Sequence, residues 1–274
     1  MEKLPSVLGL IAGEGKFPFL VLEEARRLGI RTVTLGVERA ADPRLEEAQG
    51  EDFHWVGLGE LSRSVRILRE ANVGEAIMAG RVRHARAFDI LQPDRLMLRV
   101  LSRIPARTTQ AMLETVADVL AEEGVELIDS TSLLREHLAI SGRMAGRPPT
   151  QKELESIRFG AKMARGLAEL DIGQTVVVKE KAIVAVEAME GTDRTIRRAK
   201  EVATGPFVVV KVARPRQDMR FDVPVVGPGT LDSMSASNAT ALALEAGRVL
   251  LVDRDEFLPL ADSKGIAVYG VDLA

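Results

Sequence analysis

The side chains most able to do chemistry gather in one stretch, Lys211-Val-Ala-Arg-Pro-Arg-Gln-Asp-Met-Arg-Phe-Asp-Val-Pro224. Cations and carboxylates interleaved in this way suit a phosphoanhydride with a divalent metal. Arginines neutralise phosphate oxygens, and aspartates hold the metal or orient water. Read as an extended strand from Arg216 to Val225, the segment places Arg216, Asp218, Arg220 and Asp222 on one face. Met219, Phe221 and Val223 then point to a core. A half-buried edge strand with a self-compensating polar face has the same pattern. A second, acidic group is Val186-Glu-Ala-Met-Glu-Gly-Thr-Asp193, where a strand ends, a glycine turns the chain and a helix begins. Glu190 and Asp193 can meet at that turn. Helix capping with one solvated glutamate also accounts for them.

Two glycine-bearing turns come earlier. Ala12-Gly-Glu-Gly-Lys-Phe-Pro18 follows a strand and precedes a helix, a place where backbone amides and the helix dipole favour an anion. It is not a P-loop, because Phe17 replaces the Ser or Thr and Leu10 replaces the first glycine. Pro18 also stands where the dinucleotide fingerprint needs its third glycine, although Glu38 lies where a ribose-binding acid belongs. A tight βα turn reads equally well. Met78-Ala-Gly-Arg-Val-Arg-His84 follows a later strand and puts Gly80 and Arg81 on the same edge as Gly13. An arginine fork there suits a phosphate, and a solvated basic loop is the plainer account. His84 reads as an ordinary surface histidine.

These groups must be held by two α/β domains. The expected elements in the first half are strands at 6–12, 32–37, 53–56, 75–79 and 125–129, and helices at 17–28, 61–71 and 108–122. That order implies a Rossmann-like doubly wound sheet with ligands at the carboxyl ends of its strands. Ser141 to Pro149 has the composition of a connector, so the expected division is 1–140, a linker at 141–149, and 150–274. The second half reads as a capping-box helix from Thr150, a hairpin at 175–186, a helix at 192–203 and a strand at 207–212. After the charged strand come a helix at 231–247, a strand at 249–252, a short helix and a strand at 266–271.

Composition narrows the chemistry further. The 274 residues contain no cysteine, which excludes thiolate chemistry, and three isolated histidines, which argue against a His-rich zinc site, so any essential metal should be a hard cation held by carboxylates. A net charge of −3 and 4% aromatics argue against nucleic-acid binding. The opening apolar run is too short for a secretory signal and no run is long enough to span a membrane, so the expected location is cytoplasmic. No Gly-x-Ser-x-Gly elbow, HExxH or EF-hand loop occurs.

Five segments in register resemble one family, the LpxI-type UDP-2,3-diacylglucosamine pyrophosphatases of lipid A biosynthesis. They are Leu8–Gly15, Ala79-Gly-Arg-Val82, Leu170-Asp-Ile-Gly-Gln174, Val186–Asp193 and Lys211–Pro224, with Leu250–Arg254 and Gly270–Asp272 closing the match. The resemblance implies a magnesium-dependent hydrolase of two domains with the ligand cleft between them. It would split UDP-2,3-diacylglucosamine into UMP and 2,3-diacylglucosamine 1-phosphate, with water attacking the sugar-side phosphorus. The family's essential aspartate falls on Asp222. Asp222, Arg220 and Lys211 are the expected catalytic residues, and Asp222, Asp218, Glu190 and Asp193 the expected Mg2+ ligands. Gly13, Gly15, Gly80, Arg81, Gln174, Thr192, Arg216 and Gln217 are the expected substrate contacts. Glu14 and Arg81 depart from the family's usual glycine and asparagine. A homo-oligomer and transient contact with the inner-membrane surface are compatible with the sequence, which has no strongly basic amphipathic anchor. A nicotinamide-dependent oxidoreductase using Gly13, Gly15 and Glu38, or a non-catalytic UDP-sugar-binding module, would use the same turns.

Overall fold

The computed structural model describes residues 5–82, 92–105 and 108–273, so His84 lies outside the described residues. The chain forms two compact units. One comprises the described residues up to Leu134 together with Met219–Phe221, and the other comprises Arg135–Asp218 and the chain from Asp222 onward.

The first unit is a parallel sheet in the order β3-β2-β1-β4-β5. Its strands are β1 (Val7–Ala12), β2 (Arg31–Val37), β3 (Phe53–Val56), β4 (Glu75–Ala79) and β5 (Glu126–Leu127). Leu8 and Leu10 on β1 are wholly buried, as a central parallel strand covered on both faces requires. The helices are α1 (Phe17–Arg27), α2 (Arg44–Gln49), α3 (Leu61–Glu70), α4 (Arg95–Arg103) and α5 (Thr109–Glu122). Pro18 sits in the first turn of α1, where its missing N–H costs nothing. Leu61, Val65 and Leu68 form the buried stripe of α3. This is the doubly wound order read from the sequence.

The second unit is built on a mixed sheet in the order β6-β13-β11-β9-β7-β8. Its strands are β6 (Gly142–Ala145), β7 (Thr175–Lys179), β8 (Ala182–Val186), β9 (Phe207–Lys211), β11 (Ala239–Glu245) and β13 (Ala267–Val271). The last three named run parallel, with antiparallel strands on either side. The short strands β10 (Val225–Val226) and β12 (Leu250–Leu251) pair separately. Helix α6 (Gln151–Glu169) covers one face through Ile157, Ala161 and Ala164. Helices α7 (Thr192–Val202), α8 (Pro228–Ala236) and α9 (Arg254–Lys264) cover the other with Ile196, Leu231 and Phe257. Each of the larger side chains among these, such as Leu231 or Phe257, contributes about 1.5–3 kcal/mol.

Three expectations change. Residues 142–145, read as connector, pair with β13 as an antiparallel edge strand. The helix expected over 231–247 stops at Ala236, and Ala239–Glu245 is a buried central strand. Its Ala-Leu alternation suits either state, and burial on both faces decides for the strand. The charged strand expected over 216–225 is a run of turns, with only Val225–Val226 extended in a pair. Pro215 and Pro224 interrupt ladder bonding, and the Asp222 amide donates to the Asp218 carbonyl at 3.1 Å instead.

Candidate active site

In the first unit the two glycine turns are joined by their own backbones. The Gly13 amide donates to the Ala79 carbonyl at 2.8 Å, and Glu14 and Arg81 exchange amide–carbonyl bonds at 2.9 Å each way. A Cβ on Gly13 would lie 2.8 Å from the Arg81 carbonyl oxygen. One on Gly80, at φ +92°, would lie 2.8 Å from that of Glu14. Both glycines are therefore demanded by backbone meeting backbone. The Gly13 and Glu14 amides are already bonded within the protein. A Cβ on Gly15, at φ +107° just before α1, would meet no atom of the described residues within 4 Å beyond its chain neighbours. Arg81 is exposed.

The second unit assembles side chains. The turn leading into β7 and the turn leaving β9 are neighbours, because Thr175 pairs with Lys211 and the Val212 amide donates to the Gln174 carbonyl at 2.9 Å. From there an ordered chain of donors runs outward. Gln174 Nε2 donates to Gln217 Oε1 at 2.7 Å, and Gln217 Nε2 donates to Asp222 Oδ2 at 2.6 Å. The Arg214 amide also donates to Gln217 Oε1, at 2.9 Å, which fixes the orientation of that amide group. The Arg214 guanidinium pairs with Asp222 Oδ2 and has Asp171 Oδ1 2.6 Å from its Nε. Asp222 remains half exposed, its side chain 52% accessible. The result is a carboxylate held from one side and open to solvent on the other.

At the end of β9, Lys211 is almost fully buried. Its Nζ donates to Thr192 Oγ1 at 2.9 Å and to Thr175 Oγ1 at 3.4 Å, and Glu187 Oε2 lies 3.7 Å away. The turn carrying Gln174 is seated against the end of β8, where a Cβ on Gly173 would come within 1.8 Å of the Glu187 carbonyl oxygen. The loop after β9 is fixed from a third strand by Glu245, whose carboxylate accepts the Ala213 amide at 2.7 Å.

The expected residues thus divide. Asp222, Gln217 and Gln174 form one hydrogen-bonded chain, and Lys211 and Thr192 form a second, buried group. Arg216 is exposed on the turn. Arg220 lies in the first unit, its guanidinium 5.1 Å from the centre of the Phe221 ring and its carbonyl accepting from Ser130 Oγ at 2.6 Å. Asp218 contributes its carbonyl to the turn that ends at Asp222. Glu190 pairs with Arg198 at 2.6 Å and accepts the Ala188 amide at 3.0 Å. Hydrogen bonding from its own backbone amide and from Arg198 holds the Glu190 carboxyl below the usual range. Asp193 Oδ1 is buried with no hydrogen-bond partner among the described residues.

Among the described residues no three carboxylates or imidazoles converge on a point that could hold a cation. A magnesium ion needs only one or two carboxylates when substrate phosphates supply further oxygens, and the open side of Asp222 suits that arrangement. Sequence reasoning passed over Arg214, Asp171, Thr175 and Glu245. Arg214 was hidden because the strand alternation was started at Arg216, two residues too late to include it.

The comparisons with known proteins bear on what this site belongs to. Residues 7–137 match the model of the LpxI N-terminal domain, and residues 140–269 match that of the LpxI C-terminal domain. The chain belongs to the LpxI family. Its relative in Caulobacter vibrioides, a UDP-2,3-diacylglucosamine pyrophosphatase, is 32% identical over 276 aligned residues, covering 97% of each chain. In this LpxI-family chain the segment expected to hold the essential aspartate is the turn after β9, and Asp222 is its outermost carboxylate. No helix among the described residues is long and apolar enough to cross a membrane.

Proposed function

We propose that this protein hydrolyses the pyrophosphate of UDP-2,3-diacylglucosamine, releasing UMP and 2,3-diacylglucosamine 1-phosphate for lipid A biosynthesis. The observation that carries the reading is the half-exposed carboxylate of Asp222, oriented by Gln217 and the Arg214 guanidinium on the turn that follows the buried Lys211. A pyrophosphate linkage carries negative charge on both phosphorus centres, and hydrolysis adds charge to the leaving UMP phosphate. Arg214 and Arg216 on that turn would offset it, with Lys211 at the end of β9 as a further cation.

Asp222 orients the attacking water and takes its proton as the oxygen closes on the sugar-side phosphorus. Gln217, itself held by Gln174, and Arg214 hold Oδ2, which leaves the outer side of the carboxylate for the water and the metal. The oxygen–phosphorus bond to UMP then breaks, and the proton passes to solvent or product. Magnesium, bound by Asp222 with Asp218 and substrate phosphate oxygens, would supply charge neutralisation at the phosphates. Glu190 is committed to Arg198 and Asp193 is partly buried, so these two would join only after local rearrangement. Gly15 and the amides opening α1 offer a place for an anionic part of the nucleotide. The protein acts in the cytoplasm, meeting its diacylated substrate by reversible contact at the membrane surface.

The test is incubation with UDP-2,3-diacylglucosamine, with magnesium or with chelator, followed by phosphorus NMR. Magnesium-dependent appearance of UMP and the sugar 1-phosphate is the expected result. Binding of the nucleotide without turnover would reduce the protein to a UDP-sugar-binding module.

A further inference from the structure

Glu187 is nine-tenths buried, ionisable, and unused by the steps above. Resting on that hydrolytic reading, we infer that Glu187 is a positioning residue, which locks the Thr192 hydroxyl and the Lys211 ammonium into one ion-paired unit at the end of β9, from which the Asp222 turn departs.

Backbone contacts hold Glu187 first. Its amide donates to the Thr175 carbonyl at 2.9 Å, and the turn at Gly173 packs against its own carbonyl. The side chain then meets two partners at once. Thr192, the first residue of α7, gives its only hydroxyl proton to Glu187 Oε1 at 2.9 Å. The lone pairs of that hydroxyl are therefore left to accept from Lys211 Nζ, which lies 2.9 Å away. The other oxygen, Oε2, is 3.7 Å from the same ammonium and has no hydrogen bond of its own among the described residues. The carboxylate thus sets the direction of the Thr192 O–H and serves as counter-ion to Lys211. Thr175 completes the cage from β7 at 3.4 Å.

The consequence is specific. A buried ammonium without its counter-ion loses its charge or its place. Lys211 precedes the turn carrying Arg214, Gln217 and Asp222, so its charge and position act on the phosphates that those residues face. Glu187 acts through Lys211 and Thr192, and it touches no substrate.

The experiment is a double-mutant cycle of Glu187→Gln and Lys211→Met, read by kcat, KM and chemical denaturation on the same four proteins. Glu187→Gln keeps an acceptor for Thr192 but removes the charge. It is expected to lower kcat at least about tenfold while KM moves less than about threefold. Glu187→Asp should recover part of the loss. The double variant should be no slower than the slower single variant. Additive losses in kcat, or a wild-type kcat in Glu187→Gln, would overturn the inference. If the unmodified protein does not turn over the diacylated UDP-sugar, the hydrolytic reading fails by itself. The denaturation cycle then decides whether the unit exists, coupling supporting it and additivity overturning it.

Discussion

The end of the β1–β4 pair and the end of the β7–β9 pair both carry the residues expected of an anion site, yet they are built in opposite ways. At the first, Gly13 and Gly80 bring two backbones together until Gly13 bonds Ala79 and Glu14 and Arg81 bond each other. At the second, polar side chains extend from Gln174 through Gln217 to Asp222, and Lys211 is held in a separate buried group with Thr192, Thr175 and Glu187. Glycine at a strand end signals close approach but does not say whether the visitor is a ligand or another strand end. Charged residues around a proline-bounded turn give the more direct chemical signal. Substitutions at the first place should therefore act on stability, and those at the second on rate.

The largest stability effect should come at the one point where the second region also depends on close backbone approach. Gly173→Ala puts a Cβ 1.8 Å from the Glu187 carbonyl oxygen and is expected to cost about 3 kcal/mol or more. Thermal unfolding would measure this directly. Gly80→Ala should cost about 2 kcal/mol, from its left-handed φ and the 2.8 Å approach to the Glu14 carbonyl. Its kcat should stay near that of the parent, and a hundredfold loss without destabilisation would make the first region catalytic.

A smaller effect is expected away from both. Glu153 on α6 accepts from Arg147 at 2.6 Å, from Thr240 at 2.7 Å and from the Thr150 amide at 2.7 Å. Burial raises its pKa, but those bonds outweigh burial and hold the carboxyl at about 2. Because the folded value lies below the unfolded one, the stabilisation is complete above about pH 4.5 and is lost as pH falls toward 2. Glu153→Gln should cost about 1 kcal/mol at neutral pH and flatten that acid limb without changing kcat. Denaturant melts across this range would show it.

Much of this was legible in the residues. The apolar runs ending at Ala12 and Ala79 announced central parallel strands, and Thr150 with Glu153 announced the start of α6. The capping box is present in full. The failures share a cause. Ala239–Glu245 has no β-branched residue except Thr240, so only burial on both faces distinguishes strand from helix. Between Pro215 and Pro224 the alternation of charge imitated a strand, whereas the Arg214 amide bonded to Gln217 Oε1 and the Asp222 amide bonded to the Asp218 carbonyl settle the turn. Gln174, Gln217 and Asp222 stood in the right segments, but no spacing could reveal that they bond in sequence. Glu187, Thr175 and Lys211 meet only because β7, β8 and β9 are neighbours.

Asp222 is proposed here as a catalytic carboxylate displayed by a turn, with little part in the fold. That role is tested most directly by measuring substrate affinity and single-turnover rate on Asp222→Ala protein. The side chain is half exposed, so the variant should unfold at close to the parent's temperature. It should still bind UDP-2,3-diacylglucosamine, with a rate at least about a hundredfold lower. An unchanged rate, or a protein that no longer folds, would contradict the account.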